Sequence, residues 1–380
     1  MLSVLTAIIV GSILILLNGR DPITAFEELI RGAMLEPRGV RLTLVKMTPL
    51  VFSGLAVAFA LKCGLFNIGV QGQLILGSVA AAWIGFAVEG LPPVLHVSLA
   101  VIVAGLAGAL WGAIPGVLKA YADAHEVITT IMLNAIAIQL ASWMISLGSE
   151  DGTLKPGPLA AKDVQDAIPR TPEILDSARL PMIYKIPFGV QMHAGVFLAI
   201  IATVVVMFLL TRTTFGFQLR MVGHNPAAAR YAGVNVKRMM VLSMVIAGSM
   251  GGLAGGMQTL GVNFGYEGNQ SLGLGFDGIT VSFLAANNPL GINFSAFLFG
   301  AMDAGAGSMQ KEAKVSPELL QVIQALVLMF VAADQIIRRL YRLRTADERR
   351  RQRLARQHRA IRQQQAGQSS ESRAREEDER

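Results

Sequence analysis

Lys62-Cys63-Gly64-Leu65-Phe66-Asn67-Ile68-Gly69-Val70-Gln71-Gly72-Gln73 separates two apolar runs, at about 45–62 and 71–88. Each run approaches the roughly 20 helical residues that cross a bilayer core about 30 Å thick. Glycines at 64, 69 and 72 loosen the helix, while Asn67, Gln71 and Gln73 bring amide donors and acceptors. At membrane depth such groups must be satisfied by protein or by a water-filled path. Two readings fit. The stretch is either a turn between two helices at the cytoplasmic surface, or a broken helix lining a translocation path for a polar, uncharged solute. In both the chain is an all-α membrane protein, and in the second Phe66, Asn67, Gln71 and Gln73 lie on the path.

The rest of the chain agrees. Hydrophobic residues make up 53% and charged residues 16%, with mean hydropathy +0.50. A soluble domain carries roughly 25% charged residues, so this chain does not solvate itself as a globule. Ten apolar segments follow one another, at about 2–17, 45–62, 71–88, 94–116, 126–147, 193–211, 238–262, 275–288, 291–309 and 319–338. The first lacks the basic flank and cleavage site of a signal peptide, so it reads as a retained helix. Residues 23–34 are amphipathic and suit a helix at the interface. The expectation is about ten transmembrane helices, some broken or re-entrant, with a transmembrane body at 1–340.

Charge sets the orientation. From Arg338 to Arg380 there are 14 Arg, no Lys and 7 acids; the other 337 residues are neutral overall. The stretch 212–238 carries Arg212, Arg220, Arg230, Lys237 and Arg238 and no acid. Positive loops belong in the cytoplasm, which puts both termini there and the Pro-rich 148–192 loop outside. Residues 18–46, placed outside, object with five basic residues against four acids. The tail at 341–380 has little to bury and reads as a disordered, basic cytoplasmic extension near anionic membrane lipids. A net charge confined to the tail is no nucleic-acid signature spread over a fold, and no nucleic-acid partner is expected.

Three further patterns carry information. Gly275-Phe276-Asp277-Gly278 and the break at Asn287-Asn288-Pro289 echo Phe66-Asn67-Ile68-Gly69, which suggests an internal repeat. Asp277 fits either a helix N-cap or a pathway residue. Asn225-Pro226 before an alanine run, closed by Gly233, specifies a short helix capped at both ends. Such a helix must pack on something, either its own membrane domain or a cytoplasmic partner. Gly248, Gly252 and Gly256, and likewise Gly108, Gly112 and Gly116, recur every four residues, as helices in close contact require. Asn134, one turn beyond Thr130, either bonds across helices or faces solute.

No phosphate-binding loop, nucleophilic triad, metal-ligand spacing or paired set of intramembrane acids and bases is legible. One cysteine, Cys63, excludes a disulfide within the chain. No catalytic residue, metal or cofactor of its own is expected.

These stretches carry a resemblance. Gly64–Gln73, His125–Asn134, Ala228–Val234 and Gly275–Ile279 with Asn287–Gly291 resemble the permease subunits of bacterial nucleoside and simple-sugar ABC importers, a group that includes ribose and branched-chain amino acid permeases. The resemblance runs from about Asp21 to Leu340. It implies a multi-pass protein of the bacterial inner membrane and a second permease subunit, identical or different. It also implies an external solute-binding protein and a cytoplasmic subunit that binds ATP and Mg. It places Asn225, Pro226, Arg230, Tyr231 and Gly233 on a helix that couples to that ATPase. It leaves Phe66, Asn67, Gln71, Gln73, Asn134, Phe276, Asp277, Asn287 and Asn288 on the solute path. The competing reading is an ion-coupled secondary transporter of a small polar solute.

Overall fold

The computed structural model describes residues 2–148, 155–161, 168–184, 191–268 and 273–332. The expected boundary near 340 and the basic tail lie outside them. Thirteen α-helices occur among the described residues. The chain opens with α1 (Leu2–Leu17), then α2 (Pro22–Ile30), which runs on through a π-helical turn at Arg31–Leu35. Next come α3 (Pro37–Lys62), α4 (Val70–Ala87), α5 (Pro93–Ala122) and α6 (Glu126–Met144). A short antiparallel ribbon, β1 (Met182–Tyr184) and β2 (Met192–His193), precedes α7 (Gly195–Arg212), α8 (Thr214–His224) and α9 (Pro226–Tyr231). Then come α10 (Val236–Gln258), with a π-helical turn at Thr259–Asn263, α11 (Leu274–Leu284), α12 (Pro289–Glu312) and α13 (Pro317–Ala332).

Six of these are long and apolar enough to cross a membrane: 37–62, 70–87, 93–122, 126–144, 195–212 and 236–263. The apolar stretches Val4–Leu17, Leu274–Leu284 and Pro317–Val331 are shorter. Helix α12 is 24 residues long but carries Asp303, Lys311 and Glu312. Each expected apolar segment holds a helix among its described residues, and the expected interfacial helix is the α2 region, where Leu29 and Gly32 pack on Gly305 and Ser308 of α12.

Helices α3, α4, α5 and α10 form the centre. The two glycine ladders interlock there: a side chain at Gly248 or Gly252 would strike the α5 backbone, and one at Gly108 would strike that of α10. The outer faces of α5, α6 and α7 leave large apolar residues such as Leu110, Met132 and Phe208 exposed. A water-soluble fold would bury such surface; a lipid-facing one presents it. A cap formed by parts of 155–184 closes one end of the bundle. His96, fully buried, ties α5 to it through Ser177 Oγ (2.9 Å) and to the α4 end through the Ile84 carbonyl (3.0 Å).

The opposite end holds a correction to the sequence reading. The stretch 212–238 was expected to hold one short helix, yet α8 precedes it. Thr213 Oγ1 caps α8 by accepting from the Gly216 N–H (3.0 Å). Helix α8 folds back on α7, Gly216 lying against Leu209 and Leu210, and its far end meets Lys62 and Cys63 through Gly223. Gly216, Leu219 and Val222 recur every three residues on its buried face, a weak amphipathic signal inside a basic stretch.

Candidate functional site

The break at 62–73 starts at the α8 end of the bundle, where Lys62 and Cys63 meet Gly223, and runs inward to Gln73. Gly251 lies against Gln73, and it is fifteen residues along α10, about 22 Å from that helix's start at 1.5 Å per residue. Helix α4 therefore begins well inside the bundle. Asn67, Gln71, Gln73 and Asn134 are all 5% exposed or less. Asn67 Nδ2 donates to Gln73 Oε1 (3.1 Å) and Gln73 Nε2 donates back to Asn67 Oδ1 (3.2 Å). Asn67 Oδ1 also accepts from the Gly69 N–H (3.0 Å). Asn134 Oδ1 accepts from the Gly72 N–H (2.8 Å), and its Nδ2 donates to the Ile68 carbonyl (3.0 Å). Asn134 thus bonds across helices. Together these amides complete and brace the backbone of a helix break. Phe66 packs edge-on against Phe283 of α11, ring centroids 5.9 Å apart.

Gln71 joins this break to the second one. Its Oε1 accepts from the N–H groups of Gly273 (3.3 Å) and Gly275 (2.9 Å). The start of α11 is therefore docked on the first turn of α4, at the same depth. The N-cap of α11 is Gly273, at φ 105°, a backbone conformation open to glycine. Asp277 is not the cap: it lies inside the helix, its N–H bonded to the Gly273 carbonyl (2.9 Å). Asn287 and Asn288, expected on the path, form the turn between α11 and α12. Ala286 and Asn287 both take the left-handed conformation, at φ 51° and 57°. Asn287 Oδ1 accepts from Ser282 Oγ (2.9 Å), and Asn288 Oδ1 caps α12 through the Leu290 N–H (3.0 Å). Asn tolerates left-handed backbone and caps helices for the same reason, a short side chain that bonds locally.

Beside this junction α3, α10, α11, α12 and α13 enclose a cleft of about 430 Å³. Phe276 and Asp277 line it, joined by Lys46, Asp303, Gln321 and Gln324. Gln324 Nε2 donates to Asp303 Oδ1 (2.9 Å). The latter four residues were missed. A signal existed: Lys46 and Asp303 are ionisable residues inside the apolar segments 45–62 and 291–309, and such residues mark pathways. The sequence shows no pairing of these acids and bases because they come from helices far apart in the chain; the fold brings them together.

At the basic end of the bundle, α9 has the local structure its sequence specifies. Asn225 Oδ1 accepts from the Ala227 and Ala228 N–H groups (3.0 and 3.1 Å). Pro226 is the first helical residue, and Gly233 follows the helix at φ 83°. Ala229 is wholly buried against the body, whereas Arg230 is exposed and Tyr231 is 95% exposed. Helix α10 begins five residues beyond Tyr231 and ends at Gln258, which lines the cleft.

A helical bundle with lipid-facing apolar helices, two helix ends meeting at depth and a polar cleft beside them defines a multi-pass membrane transport protein. The chain belongs to the family described as branched-chain amino acid transport system / permease component, whose profile matches residues 40–332. It is 38% identical to the guanosine ABC transporter permease protein NupP of Bacillus subtilis (strain 168), over 89% of this chain and 93% of that one. It is 35% identical to the nucleoside ABC transporter permease protein NupB of Lactococcus lactis subsp. cremoris, over 89% and 91%. With the glucose ABC transporter permease protein TsgB13 of Haloferax volcanii the identity is 31%, over 92% and 90%. These similarities bear out the family resemblance carried by the four sequence motifs.

Proposed function

We propose that this permease subunit carries nucleosides into a bacterial cell across the inner membrane, as part of an ABC importer. The observation that carries the reading is a single element: α10 runs from the exposed α9 to the polar cleft. Its 23 residues span about 34 Å, and its glycines lock it to α5. A displacement of α9 would pass through the short turn at 232–235 into α10, and along that one helix to Gln258.

In this reading α9 is the contact for a cytoplasmic subunit that binds ATP and Mg and hydrolyses the ATP. Arg230 and Tyr231 are its exposed anchors, residue types that dominate interface energetics. Asn225, Pro226 and Gly233 fix the helix ends. The acid-free stretch 212–238 makes that face cytoplasmic, with about ten membrane segments and both termini on that side. The cap formed by the described parts of 155–184 then faces the external solute-binding protein. A second permease subunit, identical or different, completes the path, and the basic tail at 341–380 rests near anionic lipid. The cleft supplies the solute's polar surroundings at depth, with Phe276 and Asp277 on the path. Nucleoside is preferred as the substrate because the similar permeases of B. subtilis and L. lactis are named for guanosine and nucleosides, and an aromatic ring beside hydrogen-bonding groups suits a base joined to a sugar.

The test is the double substitution Arg230→Ala with Tyr231→Ala in the assembled complex. Uptake and solute-stimulated ATP hydrolysis are expected to fall about tenfold or more, the effect of removing interface anchors, with thermal stability kept. Normal coupling in the folded variant overturns the role of α9. Uptake by the permease without the ATPase, driven by an ion gradient, overturns the importer reading itself.

A further inference from the structure

We infer that the cleft between α3, α11, α12 and α13 is a ribose-reading binding site, one that holds a ribonucleoside and distinguishes it from its 2′-deoxy form. The inference rests on the nucleoside reading above and goes beyond it, by assigning recognition to Lys46, Asp303 and Gln324 in the permease itself.

Size comes first. About 430 Å³ lies within the roughly 300–1,000 Å³ of clefts that hold small organic ligands. Composition comes next. Phe276 is 45% exposed and lines the wall, giving an apolar face on which a heterocyclic base can stack. Across from α11, Lys46, Asp303, Gln321 and Gln324 bring donors and acceptors from α3, α12 and α13. A ligand that is flat and apolar on its faces, with hydroxyls at one end, matches this division.

The carboxylate at 303 is prepared for the hydroxyl end. Gln324 is buried and its amide holds Asp303 Oδ1 at 2.9 Å, which fixes the carboxylate before solute arrives. That bond uses one of about four lone-pair sites of an ionised carboxylate. The others can accept from a 2′- and a 3′-hydroxyl, the use to which dinucleotide-binding folds put an acidic residue. Lys46 supplies a donor for a hydroxyl or ring oxygen. With one lysine and two aspartates the site is formally anionic, which disfavours a phosphorylated ligand. The same site holding an Asp for a diol rejects a sugar lacking one hydroxyl, because the carboxylate is then left partly unpaired in a confined space.

The experiment uses the assembled permease–ATPase complex in nanodiscs without the external protein. Ala325→Cys places a reporter thiol on the cleft wall, where Ala325 is exposed; the native Cys63 is buried and does not compete. A membrane-impermeant thiol reagent is added with guanosine, 2′-deoxyguanosine or guanosine monophosphate. Guanosine is expected to protect the thiol, the deoxy form to need about tenfold more for half-protection, and the monophosphate to protect least. Asp303→Asn keeps an acceptor for Gln324, and is expected to raise the guanosine value about tenfold while leaving the deoxy value within about twofold. Equal protection by guanosine and its deoxy form overturns the inference, and the wild-type comparison decides this even where Asp303→Asn fails to fold. So does an unprotected thiol in a complex that imports nucleosides, which leaves the transport reading standing. A complex that imports no nucleoside at all sinks the transport reading first.

Discussion

The two helix breaks carry nearly the same residues and do opposite things. At the first, Phe66-Asn67-Ile68-Gly69, the polar side chain is an amide, fully buried and spent on Gln73 and Gly69. At the second, Phe276-Asp277-Gly278 lies in the first turns of α11 just past the break, and the polar side chain is a carboxylate on the wall of a cleft. The difference is chemical. An amide has donors and acceptors in one group, so a pair of them can satisfy each other in a dry interior. An ionised carboxylate only accepts, and burying it without partners is costly. The amide break can therefore close on itself and become scaffold. The acidic break needs water, donors or ligand, and so it stays beside a cavity. Gln71 links the two, so the first break positions the second.

Exchanging the two chemistries breaks the comparison most sharply. Asn67→Asp changes one atom type, yet sets a carboxylate against the Gln73 acceptor and removes the donor of the reciprocal pair. An unpaired buried charge costs roughly 3–5 kcal/mol. The thermal midpoint of the solubilised complex is expected to fall steeply, with loss of folded yield. A variant as stable as the parent means the first break is wet, and the two breaks then do not differ in this way. Next in size is Gly275→Ala. The added Cβ would come within 2.5 Å of the Gln71 Cα and N, which are backbone and cannot swing aside. The two helix ends must part, with an overpacking cost of about 1–3 kcal/mol. Stability and uptake should decline together, because the shift lies between scaffold and cleft. Loss of uptake at full stability would place Gly275 on the solute path rather than at a joint.

How much of this was legible in the sequence follows the range of the interactions involved. Helix α9 was readable because Asn225, Pro226 and Gly233 act on backbone groups within a few residues. The glycine ladders were readable because their spacing is that of a helix turn. Helix α8 was not: its buried face rests on Gly216, Leu219 and Val222 alone, inside a stretch whose arginines mark it as a loop. The partners of Asn67, Asn134, Asn287 and Asn288 were not readable either, since an amide in an apolar run can bond to whichever backbone or helix packs beside it. The cleft was half readable. Phe276 and Asp277 stood out beside a glycine-rich break, whereas Lys46, Asp303 and Gln324 become neighbours only when α3, α12 and α13 pack.

The smallest expected change in stability, and the most informative about function, belongs to Asp277→Asn. This is the reverse of the first exchange. Asp277 lies within the helix and its side chain meets the cleft rather than a packed interior, so the fold does not depend on its charge. The thermal midpoint should move by no more than a substitution worth about 0.5 kcal/mol, as at solvated positions. Transport should change all the same. The amide keeps the shape and one acceptor, but loses the charge that strengthens a hydrogen bond from a solute hydroxyl or ring N–H, a difference of about 1 kcal/mol. Half-maximal uptake should then need several-fold more solute, with ATP hydrolysis in the absence of solute unchanged. A loss of stability matching that of Asn67→Asp would make Asp277 a second brace. The two breaks would then be one kind of joint, and the polar cleft would have to find its solute contacts on α3, α12 and α13 alone.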